Sequence, residues 1–244
     1  MIRGEQSSPA PHASGQPFEV LFRRELPAGV CVAVSLPDGD GFALPAGLHP
    51  GEAAFVHGSP AARRVTFIGG RVALRLAIEA LAGKDQARAA ILSTPRGAPA
   101  MPPGFVGSVS HKRELAVAIV ARAEPTPRTT VGIDVEIPRP LRTDIAARVL
   151  TPDERAELSD RTPAARDAEV LFRFAAKEAI YKALDHWVQR MVSFQEVEIA
   201  VAQDAPPVVR LSLARGEGPF TVELYDMRVE GLVLAVASVT PKKK

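Results

Sequence analysis

The sequence predicts an α+β protein of two pseudo-symmetric lobes, each a helix packed on a small antiparallel sheet. Three observations carry this. Short valine-rich runs that end in turn residues read as strands in both halves of the chain. One long segment in each half repeats apolar residues at helical spacing. A strand pattern also recurs: Arg113-Glu114-Leu115-Ala116-Val117-Ala118-Ile119-Val120 resembles Glu230-Gly231-Leu232-Val233-Leu234-Ala235-Val236-Ala237, and each run closes its half. Two similar lobes would produce such an echo.

The elements follow in order. Residues 1–16, rich in Pro, Ser and Gly, read as a disordered tail. Phe18–Phe22 and Val30–Leu36 read as strands, the second closed by Pro37-Asp38-Gly39. Ala61–Leu81 reads as a helix with Val65, Ile68, Val72 and Leu76 on one stripe and Gly83 ending it. Residues 91–107 read as a loop and Glu114–Val120 as a strand. Pro125 and Pro127 mark the joint between lobes 17–126 and 127–240, ahead of a strand at Thr130–Ile137. Thr151-Pro152-Asp153-Glu154 is a capping box that starts a short helix. A longer helix is predicted over Ala168–Trp187 with Phe172, Ala176, Ile180 and Leu184 buried. Strands near 195–201, 207–213, 219–227 and 230–239 finish the second lobe, and 241–244 form a basic, solvated tail.

The 244 residues carry 30 Lys and Arg against 28 Asp and Glu, and a net charge of +2 gives no ground for a nucleic-acid binder. A single cysteine, Cys31, excludes an intrachain disulfide and a cysteine metal cluster, and fits a reducing compartment. No secretory leader pattern and no apolar run near the ~18 residues of a membrane span are legible. A cytoplasmic protein without a membrane partner is expected.

Chemistry concentrates in two acidic and two basic segments. In Val131-Gly132-Ile133-Asp134-Val135-Glu136-Ile137, alternation puts Asp134 and Glu136 on one face. Their carboxylates lie roughly 6 to 7 Å apart, within reach of one cation. The pair admits two readings, a metal site or a solvent-facing sheet edge. In Phe174-Ala175-Ala176-Lys177-Glu178-Ala179-Ile180-Tyr181-Lys182, Glu178 lies off the buried stripe. It can add a third oxygen ligand suited to Mg²⁺, or form a surface ion pair with Lys182. Arg63, Arg64, Arg71 and Arg75 fall within about a third of their helix's circumference. That face can bind phosphates or simply be solvated. Gly107-Ser108-Val109-Ser110-His111-Lys112 is a candidate anion site, and Arg96-Gly97-Ala98-Pro99 adds a further cation.

Taken in order, these segments resemble the phosphopantetheinyl transferases, in the lineage that serves siderophore and other secondary-metabolite synthases. The resemblance covers about residues 61–194 and rests most on Gly132–Glu136 and Phe174–Lys182, with support from Arg63–Arg71, Gly97–Pro99 and Gly107–His111. It implies an active site between the two lobes, coenzyme A as substrate and Mg²⁺, with Mn²⁺ an alternative, as cofactor. Asp134, Glu136 and Glu178 would hold the metal. Arg63, Arg71, Arg96, Ser110 and His111 would contact nucleotide phosphates, with Gly97, Ala98 and Pro99 near the adenine. Lys177 and Lys182 would approach the pyrophosphate. Glu178 is the candidate general base, a role in tension with tight metal ligation. The pattern departs at Met101-Pro102-Pro103-Gly104, where relatives usually carry a tryptophan before the proline, and at Lys112, where a small residue is common.

The reaction implied is attack of a carrier-protein serine on the β-phosphorus of coenzyme A, with 3',5'-ADP leaving. An acyl, peptidyl or aryl carrier would dock near the helix after Thr151 and near Gln189–Phe194, with Arg142, Arg148 and Arg190 as contacts, on a protein expected to be a monomer. Two rivals remain: a Mg²⁺-dependent phosphodiesterase or pyrophosphatase, and a non-catalytic carrier-binding module of the same fold.

Overall fold

Valine-rich strands with apolar residues on both faces need cover on both faces, and the computed structural model supplies it with four layers. It describes residues 17–39, 41–45, 48–124, 128–138, 145–202, 205–229 and 231–242. The expected tail 1–16, the joint at Pro125 and Pro127, Arg142, Lys243 and Lys244 lie outside the described residues.

The first lobe runs β1 (Val20–Leu26), β2 (Gly29–Ser35), α1 (Pro50–Val56), α2 (Ala61–Ala82), β3 (Phe105–His111) and β4 (Leu115–Arg122). The second runs β5 (Thr130–Glu136), α3 (Ala146–Val149), α4 (Pro152–Glu157), α5 (Pro163–Val188), β6 (Val197–Ala202), β7 (Ala205–Leu211), β8 (Phe220–Val229) and β9 (Leu232–Pro241). Among the described residues the strands form an antiparallel sheet ordered β1-β2-β4-β3, another ordered β5-β9-β8, and the hairpin β6-β7.

Period-two alternation explains the layering. On β4, Ala116, Ala118 and Val120 join Val30, Val32 and Val34 of β2 beneath Ile68, Leu74 and Ile78 of α2. The intervening Leu115, Val117 and Ile119 face the other sheet and meet Ile133, Val135, Leu234 and Val236. On β9, Ala235, Ala237 and Val239 turn outward against Ala176, Ile180 and Leu184 of α5. The order is therefore α2, first sheet, second sheet, α5. The sequence echo has a physical basis here: β4 and β9 are both interior strands, each with one face on its lobe's helix and the other on the partner lobe.

Most predicted elements are present within a few residues. α5 begins at Pro163, earlier than expected, because Thr162 caps it by accepting from the Ala165 N–H. Three elements were not expected, the short α3 among them. α1 is capped by His49, an unusual capping residue, whose Nδ1 accepts from the Gly51 N–H. β3 occupies the end of the predicted loop and the candidate anion site. Its Gly107, Ser108 and Ser110 are poor strand formers, and their role is visible only against β5.

Candidate active site

The site begins where β3 of the first lobe meets β5 of the second. Alternation along β3 sends Ser108 and Ser110 the same way. Ser108 Oγ accepts from the Ile133 N–H at 3.2 Å, giving an edge-strand donor its partner. Ser110 Oγ donates to Asp134 Oδ1 at 2.6 Å.

On β5, Gly132, Asp134 and Glu136 share the face turned towards α5. A Cβ at Gly132 would overlap the Ala179 carbonyl oxygen and sit 2.8 Å from the Ala183 nitrogen. The bare glycine and the small Ala179 and Ala183 thus let the helix lie directly on the strand. That close approach brings Glu178 and Lys182, one turn apart on α5, beside the strand's acids. Asp134 is only 5% exposed, so the solvent-edge reading does not hold for it.

Lysines hold both strand acids. Lys182 Nζ donates to the Ile133 carbonyl at 2.9 Å and to Asp134 Oδ1 at 2.7 Å, so its partner is Asp134 rather than Glu178. Lys112 Nζ donates to Glu136 Oε1 at 2.5 Å, across the lobe interface. Asp134 Oδ2 is buried with no hydrogen-bond partner among the described residues. Burial raises the Glu136 carboxyl above the ordinary carboxylate value, against the pull of Lys112. Burial, then the charges of Asp134 and Glu136, raises Glu178, while Lys182 and Lys112 oppose. His111 is lowered by burial and by Lys182, Arg63 and Lys112, an electropositive setting that favours anions. Among the described residues no three His, Cys, Asp or Glu side chains form a ready metal cage.

These groups line one cleft of ≈ 400 Å³ between the lobes. Of the predicted site residues, Arg63, Arg71, Gly97, Ser110, His111, Asp134, Glu136, Glu178 and Lys182 border it. The cleft also takes in Thr66, Phe67, Ser93 and Phe174, which were not anticipated. The available signal was helical spacing, since Phe67 follows Arg63 by four residues and Phe174 precedes Glu178 by four.

Other predicted residues stand elsewhere or are already engaged. Lys177 is fully buried, and its ammonium donates to the Val149 carbonyl at 2.8 Å, Glu154 Oε2 at 2.6 Å and the Phe194 carbonyl at 3.0 Å. It ties α3, α4 and the turn at Phe194 to α5 and does not reach the cleft. Arg71 touches the cleft but is 3% exposed, donating to the Ile91 and Leu92 carbonyls and to Ser93 Oγ. Its guanidinium anchors the loop rather than offering a free fork. Arg75 pairs with the buried Glu52 at 2.7 Å, so the arginines of α2 are not one solvated or phosphate-binding face. Arg96 lies outside the cleft and bridges the lobes to Asp185 at 2.6 Å. Ala98 and Pro99 do not border the cleft, although Pro99 pairs with Ser93 across the loop.

Of the expected carrier contacts, Arg148 is exposed. Arg190 is not available in the same way: it bonds Glu196 and Glu217 through both edges of its fork and the Met191 carbonyl besides.

Residues 130–237 match the 4'-phosphopantetheinyl transferase superfamily, and residues 51–121 match the 4'-phosphopantetheinyl transferase N-terminal domain. The chain belongs to the 4'-phosphopantetheinyl transferase superfamily. It is 34% identical over 156 residues to the 4'-phosphopantetheinyl transferase PptT of Mycobacterium tuberculosis, covering 64% of this chain and 66% of that relative. It is 36% identical over 161 residues to the transferase Svp of Streptomyces mobaraensis, covering 65% and 63%. To the transferase Npt of Nocardia iowensis it is 35% identical over 151 residues, covering 62% and 65%. The chain thus spans just under two thirds of the length of these relatives. Within the superfamily match lie Asp134, Glu136, Glu178 and Lys182, and within the N-terminal match lie Arg63, Ser110, His111 and Lys112, so the cleft takes residues from both. Among the described residues no helix is long and apolar enough to cross a membrane.

Proposed function

We propose that this chain transfers the 4'-phosphopantetheine group of coenzyme A to a serine of an apo acyl, peptidyl or aryl carrier protein and releases 3',5'-ADP. The observation that carries this reading is the convergence, in one interlobe cleft, of three carboxylates with Arg63, Lys112, Lys182 and His111. Lobes 17–126 and 127–240 divide the work: the first lends the cleft cations for the nucleotide phosphates, the second its acids. Because one chain supplies both walls, a monomer suffices. A coenzyme A substrate and a single cysteine fit a reducing, cytoplasmic setting.

The donors fit a hard divalent cation. All three acids offer oxygen, and Asp134 Oδ2 is a buried carboxylate oxygen without a hydrogen bond among the described residues. Asp134, Glu136 and Glu178 are the residues that would hold Mg²⁺ or Mn²⁺, and such an ion, when bound, supplies charge stabilisation to phosphate oxygens. Lys182, fixed between Ile133 and Asp134, keeps an ammonium beside the reacting phosphate. Arg63 and His111 at the rim receive the remaining phosphate charge, and Phe67 and Phe174 give the cleft apolar walls that limit water. The serine oxygen bonds to the β-phosphorus as the bond to the leaving 3',5'-ADP oxygen breaks. Glu178 accepts the serine proton, directly or through a water.

Release of 3',5'-ADP, followed chromatographically with and without an apo carrier, tests the reading. Release that requires the carrier is expected. Carrier-independent cleavage would make the protein a phosphodiesterase or pyrophosphatase, and binding without cleavage a non-catalytic module.

A further inference from the structure

The two strand acids are not held alike, and the difference assigns a task to Lys112. Lys182 has two anchors, the Ile133 carbonyl and Asp134 Oδ1, both on β5. Lys112 reaches from the opposite lobe to one atom, Glu136 Oε1. Its side chain is 30% exposed against 14% for Glu136. Lys182 is exposed to the same 30%, so the anchors set the two apart: the singly held ammonium on a flexible stem is the partner that yields first.

We propose that Lys112 is a positioning residue that competes with the divalent cation for Glu136 and, once displaced, presents its ammonium to the anionic substrate. This rests on the cation-assisted transfer proposed above. In the free protein the lysine neutralises an acid that otherwise has the charge of Lys182 to offset it, without a hydrogen bond from that lysine. A cation that takes Glu136 must break that pair, so Lys112 weakens cation binding. The released ammonium remains on the cleft wall, which it shares with His111 and Lys182. Cation and coenzyme A therefore both favour the state in which Lys112 has left Glu136. By linkage each raises the affinity of the other, and by the same factor.

The competing account is a static latch, in which Lys112 only joins the lobes. A latch affects stability but couples no ligands, so the test reads binding rather than turnover. Mn²⁺ binding to the full chain would be followed by its effect on water-proton relaxation, with and without coenzyme A. Coenzyme A binding would be followed by calorimetry at saturating Mn²⁺. For Lys112→Met we expect Mn²⁺ alone to bind about fivefold more tightly, the order set by losing a partly exposed ion pair. Coenzyme A should bind several-fold more weakly, and its enhancement of Mn²⁺ binding should shrink. Lys112→Arg, which keeps the charge, should retain most of that enhancement and controls for folding.

Mn²⁺ affinity that is weaker or within twofold of wild type in Lys112→Met would overturn the competition. Unchanged coenzyme A affinity and coupling would overturn the delivery of the ammonium. If the wild-type protein bound Mn²⁺ but no coenzyme A, the functional reading would fall, while the Mn²⁺ comparison would still decide whether Lys112 guards Glu136.

Discussion

Replacing Glu178 by glutamine separates chemistry from structure at the centre of the cleft. The change is nearly isosteric, and no hydrogen bond to the Glu178 carboxylate is present among the described residues. Burial first, and then the charges of its neighbours Asp134 and Glu136, raises its proton affinity. Neutralising it relieves repulsion, so the melting temperature should hold or rise. Loss of a positioned general base costs about 10²- to 10⁴-fold in turnover, or about 2.7–5.5 kcal/mol of transition-state stabilisation. Coenzyme A affinity should stay within a few-fold, because Arg63, Lys112, Lys182 and His111 are untouched. The assay is the initial rate of carrier modification by mass spectrometry, beside calorimetric binding of coenzyme A and Mn²⁺. A variant that turned over within tenfold of wild type would refute the assignment of the base. A large loss of Mn²⁺ affinity would make metal ligation the main role of Glu178.

Further substitutions test how the site is held. Gly132→Ala puts a methyl group into the Ala179 carbonyl; thermal and urea unfolding should show a loss of about 1–3 kcal/mol, and an unchanged midpoint would contradict the close helix–strand contact. Lys177→Met leaves the buried Glu154 without its ammonium, at a cost of about 3–5 kcal/mol; denaturant titration within 1 kcal/mol of wild type would show that the pair is not buried as described. Hydrogen bonds from Arg190 hold Glu196 and Glu217 down to about 2 from the ordinary 4.5. Folded-state values below the unfolded ones mean that this stabilisation is full above pH 4.5 and drains as pH falls towards 2. Arg190→Ala should therefore flatten the acid dependence of the melting temperature across that window, and an unchanged slope would count against the cluster.

The cleft's acids were legible because alternation and helical spacing are local properties. Asp134 and Glu136 had to share a face, and Glu178 had to leave the Phe172–Leu184 stripe. What they face was not legible, because it depends on Gly132 admitting α5, a contact between residues far apart in the chain. β3 went unread for a related reason: its serines pair with Ile133 and Asp134 of the other lobe, and nothing within Phe105–His111 announces that. Charge alone misled in α2 and α5. A buried Lys177 and a buried Arg71 look like surface cations until Glu154 and the loop carbonyls at Ile91 and Leu92 are seen around them. The lobe echo survived best, since burial on two faces forces the same apolar pattern on β4 and β9.

Group transfer from coenzyme A to a carrier serine in the interlobe cleft leaves its product on the carrier. The most direct measurement is the intact mass of a recombinant apo carrier protein after incubation with this chain, coenzyme A and Mg²⁺. The carrier should gain one phosphopantetheine group, and the gain should be abolished by EDTA and by changing the carrier serine to alanine. No gain across acyl, peptidyl and aryl carriers, with coenzyme A bound in the cleft, would contradict it.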